Sequence, residues 1–88
     1  MTLAIPAHIV WQDVPGDLAV FDSANESYHA LNGSAAAIWR EIAGGADEAV
    51  AAARLAETYG APRVEIGEDV AAFVADALAK GLLVREPV

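Results

Sequence analysis

The segment Tyr28-His29-Ala30-Leu31-Asn32-Gly33-Ser34-Ala35-Ala36-Ala37-Ile38-Trp39 joins a strand to a helix with almost nothing between them. Tyr28 and Ala30 alternate with His29 and Leu31, the period of a strand. Ala35, Ile38, Trp39 and Ile42 then recur at i, i+3, i+4 and i+7, the period of a helix. Asn32 or Ser34 is placed to cap the first helical amides, and Gly33 permits the sharp bend the corner demands. A chain with this junction must lay the start of a helix beside the end of a strand, and that strand must be either paired or left as an edge.

The residues before the junction read as a meander. His8 to Val14 carries Ile9, Val10 and Trp11; Leu18 to Asp22 carries Leu18, Val20 and Phe21; Pro15-Gly16-Asp17 between them is turn chemistry. Ser23-Ala24-Asn25-Glu26 makes a second turn into a third strand, Ser27 to Leu31. After the junction, helix one spans Ser34 to Ala43 and stops at Gly44-Gly45. Asp47 caps helix two, which runs to Tyr59 and ends at Gly60 before Pro62. In helix two, Ala51, Leu55 and Tyr59 form the apolar stripe, with Tyr59 expected in the core and its hydroxyl at the rim.

Helix three begins between Val64 and Glu68 and ends at Lys80-Gly81, with Leu82-Leu83-Val84 as an extended, strand-like tail. Val70, Phe73, Val74, Ala77 and Leu78 give it an apolar face wider than a small core needs. Val70 and Leu78 are expected to point inward and Phe73 or Val74 to line a groove. Together these elements predict one α+β domain over residues 1–88, a three-stranded antiparallel sheet followed by three helices, related to the winged helix-turn-helix.

Composition closes off several functions. Eighty-eight residues leave little surface beyond the core for an elaborate active site, since a chain of this size buries only about 60% of what it exposes unfolded. There is no cysteine, and His8 and His29 are isolated, so no metal site is expected. The chain lacks a Gly-x-Ser-x-Gly elbow, a phosphate-cradling glycine loop and a histidine pair, so neither catalysis nor a cofactor is expected. His29, with no adjacent Ser, Cys or paired carboxylate in sequence, reads as a surface or rim residue. Trp39 reads as core; Trp11 divides evenly between core and interface.

The first Lys or Arg is Arg40, so Met1 to Val10 lacks the basic start of a secretory signal, and no apolar run approaches the ~18 residues of a membrane span. A cytoplasmic protein is expected, and Asn25-Glu26-Ser27 is better read as a turn than as a glycosylation site. Thirteen acidic against five basic residues give a net charge of −8, which repels nucleic acid and anionic membranes. Helix three, which would be the recognition helix of a DNA-binding winged helix, offers Glu65, Glu68, Asp69 and Asp76 against Lys80 alone. What remains is a sheet edge beside a partly apolar helix, able to pair with another extended chain unless the chain's own terminus covers it.

In this order and spacing the chain resembles the PqqD-like peptide chaperones, also called RiPP recognition elements. The shared features are an apolar hairpin, Tyr28-His29-Ala30-Leu31-Asn32, small residues into Ile38-Trp39, and a Gly-rich break. Leu55 to Tyr59, Asp69-Val70 with Phe73, and Leu78 followed by Gly81-Leu82-Leu83 complete the pattern. The resemblance implies a non-catalytic protein that grips the leader of a ribosomally made precursor peptide. It would hand that leader to a maturation enzyme such as a leader protease, cyclase or radical SAM enzyme. It implies that the leader adds to the third strand through the backbone of Ser27, Tyr28, His29, Ala30 and Leu31. Phe73, Val74 and Ala77, with Asp69 and Asp76, would form the opposite wall. Acidity and the Tyr-His-Ala-Leu-Asn segment incline the reading toward lasso-type or unassigned stand-alone members, as against those of the quinone cofactor pathway. The alternative is a dimerising adaptor, a homodimer paired through the free edge.

Overall fold

Residues 2–14 and 17–86 are described by the structure, a computed structural model. The turn expected at Pro15-Gly16 lies outside them, and so does the side chain of Asn32, whose capping role was expected. The elements are β1 (Thr2–Ala4), β2 (Ile9–Val14), β3 (Asp17–Asp22), β4 (Ser27–Asn32), α1 (Gly33–Ala43), α2 (Glu48–Tyr59), α3 (Arg63–Ala79) and β5 (Val84–Glu86). Strands β2, β3 and β4 form an antiparallel sheet in that order, and β1 pairs with β5 in a separate two-stranded ribbon. The architecture is α+β, three sheet strands and then three helices, as the residue pattern predicts.

The corner after β4 forms because Gly33 takes φ +53°, a left-handed conformation open to glycine at no steric cost. Helix α2 is capped at both ends. The Asp47 side chain accepts from the Val50 amide at 2.8 Å, and Gly60, at φ +60°, closes the helix with its N–H on the last carbonyls. Helix α3 starts at Arg63, one residue ahead of the expected window, because Pro62 is extended and cannot be continued backward into helix.

One face of the sheet packs on the helices. Its cross-strand rows are Ile9–Asp22–Ser27, Trp11–Val20–His29 and Asp13–Leu18–Leu31. Leu18 and Val20 are fully buried in a core that also holds Ile38, Trp39 and Ile42 of α1, Leu55 of α2, and Val70 and Val74 of α3. Trp11, half-buried, meets Trp39 edge-on, with ring centroids 6.4 Å apart and planes at 75°.

Three expectations are corrected. Tyr59 is exposed, because α2 turns Ala51, Ala52 and Leu55 inward and its last turn runs past the core. Val74, offered with Phe73 as a groove residue, is buried in the core. Leu78, expected in the core, is only half-buried, as is Phe73. The centre of the buried stripe of α3 therefore runs through Val70, Val74 and Ala77, and Leu78 falls on its flank. The tail is also more than an extension: Leu82 and Leu83 are buried in the turn after α3, and only then does β5 begin.

Candidate functional site

The ladder of hydrogen bonds decides which groups β4 leaves open. Ser23 N–H donates to His8 O at 3.0 Å, and Ile9 N–H turns away from β3 to donate to Pro6 O. His8 therefore pairs with Ser23 through the backbone, as do Val10 with Phe21 and Gln12 with Ala19, since such pairs alternate along an antiparallel ladder. On β3 this leaves Leu18, Val20 and Asp22 to bond β4, through Leu31, His29 and Ser27. The amides and carbonyls of Tyr28, Ala30 and Asn32 then point to the outer side of β4. No described strand pairs there; β1 and β5 pair with each other in the separate ribbon.

The same alternation sorts the side chains. Ser27, His29 and Leu31 are half-buried on the helix side, where Leu31 packs against the core and His29 Nε2 lies 3.2 Å from Ser27 Oγ. Tyr28 and Ala30 are exposed on the opposite face. The five residues expected on the strand thus stand together, split between two faces.

The residues expected on α3 are divided. Asp69, Phe73 and Asp76 share one flank at i, i+4 and i+7, the carboxylates exposed and Phe73 half-buried. Asp76 is held by Lys80 at 2.9 Å, an i,i+4 pair. Val74 and Ala77, expected on the groove wall, are each only 2% exposed and packed inward, so their side chains are not available to a ligand.

The turn that presents β4 is organised by Asp22, a residue the sequence reading passed over as an ordinary strand end. Its carboxylate is 1% exposed and accepts from the amides of Ala24 and Asn25 and from Asn25 Nδ2, at 3.0, 3.1 and 2.9 Å. The Asn25 side chain foremost, then the two amides and the nearby His8, hold the Asp22 carboxyl below the usual carboxylate range. Its signal was the Asp-x-x-Asn spacing ahead of a strand, the pattern of an Asx turn.

Elsewhere, a cleft of about 290 Å³ lined by Leu3, Gly44, Ala46, Val50 and Arg54 shares no residue with β4 or α3. Among the described residues no group of three His, Cys, Asp or Glu side chains is placed to hold a metal, and no helix is long and apolar enough to cross a membrane.

The open edge of β4 thus leads directly into α1, in a small α+β unit. Residues 17–83 match the family model of coenzyme PQQ synthesis protein D, PqqD, and the chain belongs to that family. Two solved structures share its fold. TbiB1 in complex with the TbiA(beta) leader peptide matches with a TM-score of 0.88 at 17% identity, over 100% of both chains. Lasso peptide synthetase B1 complexed with the leader peptide matches with a TM-score of 0.86 at 22% identity, over 97% of this chain and 100% of that one. No curated protein sequence matches significantly.

Proposed function

We propose that this protein binds the leader region of a ribosomally synthesised precursor peptide by strand addition to β4 and presents it to a maturation enzyme. The observation that carries the reading is the open edge of β4, with the backbone groups of Tyr28, Ala30 and Asn32 facing outward while the chain's termini pair with each other. Family membership and the fold shared with two leader-peptide complexes support it. The leader pairs with Ser27–Leu31 and meets the flank of α3 that carries Phe73, Asp69 and Asp76. The domain itself is non-catalytic and works in the cytoplasm. The pathway is of the lasso type, with a leader protease or cyclase as the receiving enzyme.

The test is Ala30→Pro. Because the Ala30 amide points away from β3, proline there removes an outward donor and leaves the β3–β4 ladder whole. With a leader peptide from a neighbouring precursor gene as titrant, the variant should keep its circular dichroism spectrum and lose peptide affinity. Binding should fall little between low and moderate salt, unlike that of a nucleic-acid complex. Undiminished affinity in a folded Ala30→Pro variant would rule out strand addition.

A further inference from the structure

The face of the sheet turned away from the helices is apolar where an open antiparallel sheet is normally polar. Its rows are Val10–Phe21–Tyr28, Gln12–Ala19–Ala30 and, on β2 and β3, Val14–Asp17. The first row crosses all three strands without a charge, with Val10, Phe21 and Tyr28 exposed at 60%, 42% and 67%. It ends on Tyr28, at the open edge. Beside it Ala19 and Ala30, cross-strand partners, form a low floor bordered by the two aromatic rings.

We infer that the outer face is a second reading surface for the bound peptide, on which Tyr28 and Phe21 select an aromatic or branched apolar side chain. The inference rests on strand addition at β4 and follows from its geometry. A strand that pairs with the outward groups of Tyr28 and Ala30 places the residues opposite them on the same face of the sheet as Tyr28 and Ala30. One such residue extends the Val10–Phe21–Tyr28 row by a fourth side chain. The next, two positions along, lies over Ala30 and can reach diagonally across Ala19. The occupant is therefore the precursor peptide, with apolar residues at alternate positions on this side in addition to those it turns toward His29, Leu31 and the helices. The row carries no charge to pair with an ionised side chain, so discrimination here is mainly by shape and apolar area.

Selection of short random displayed peptides on the wild-type domain supplies the probe: the tightest peptide that slows amide exchange at Tyr28 and Ala30. It should carry apolar residues two positions apart. Phe21→Ser and Tyr28→Ser should each lower its affinity about ten-fold with little change in thermal midpoint, since both side chains are exposed, and Tyr28→Phe should retain binding. If the Tyr28 and Ala30 amides remain protected but both serine variants bind as well as wild type, the outer face reads nothing and strand addition stands. If no selected peptide protects those amides, strand addition fails and the inference with it. A domain that sediments as a dimer and becomes monomeric in Tyr28→Ser, with peptide affinity unchanged, would assign the row to a second copy instead.

Discussion

Asp22 and Trp39 show how single buried groups set the terms for the rest. The Asp22 carboxyl titrates below its unfolded value of 3.8, so the stability it contributes is complete above that value. It is lost as pH falls through the lower folded-state value. The thermal midpoint of the wild type should therefore drop on acidification below about pH 4, where Asp22→Asn, lower at neutral pH, should decline less steeply. Midpoints measured from pH 7 to pH 2 for both proteins check this. Trp39 is wholly buried, and its Nε1 has no hydrogen-bond acceptor among the described residues. Removing the whole side chain opens a large cavity, and Trp39→Ala should cost about 3–5 kcal/mol in urea unfolding. Trp39→Phe keeps most of the ring volume and removes the orphan donor, so it should cost clearly less.

Among the elements, α2 depends on its ends more than on its apolar stripe, which is narrow and made largely of alanine. Asp47→Ala removes the acceptor for the Val50 amide and should destabilise by about 1 kcal/mol, while Asp47→Ser should be near neutral. Gly60→Ala forces a Cβ into the left-handed region at φ +60° and should cost about 1–2 kcal/mol. Equilibrium denaturation of the three variants separates the two caps. In β4 the decisive quantity is parity. Ser27, His29 and Leu31 spend their backbone groups on β3, and Tyr28, Ala30 and Asn32 turn theirs to the outer side of the strand. A proline scan of the strand should accordingly alternate, with His29→Pro unfolding the sheet and Ala30→Pro sparing it.

At the scale of the molecule, the β1–β5 ribbon ties the first described strand to the last. Thr2 lies opposite Glu86 and Ala4 opposite Val84. Two contacts anchor it. Leu82 and Leu83 enter the core just before β5, and Arg85 grips Glu48 in the first turn of α2 through two hydrogen bonds of 2.7 and 3.3 Å. Burial outweighs the ion pair. Leu83→Ala should cost about 2–5 kcal/mol, whereas Arg85→Ala, at a partly exposed pair screened by solvent, should cost far less. Chemical denaturation of both variants tests the ranking.

The strand-to-helix corner, the hairpin, the caps at Asp47 and Gly60 and the α+β order were all legible along the chain. Each depends on neighbours within a few residues, through side-chain period, backbone freedom or a local hydrogen bond. The candidate site was legible as a segment, Ser27 to Leu31, but not as a surface. Which side of α3 is buried depends on how it lies against α2 and the sheet, so Val74 and Ala77 went to the core and Leu78 to the margin. Tyr59 was misplaced for the same reason: a helical stripe tells which residues share a face, not how far along the helix that face stays covered. The pairing of Thr2–Ala4 with Val84–Glu86 joins residues at least eighty positions apart, and no local pattern encodes it. Local chemistry wrote the elements and their ends; the long-range packing of those elements decided that β4 keeps an open edge and that Phe21 and Tyr28 stand uncovered beside it.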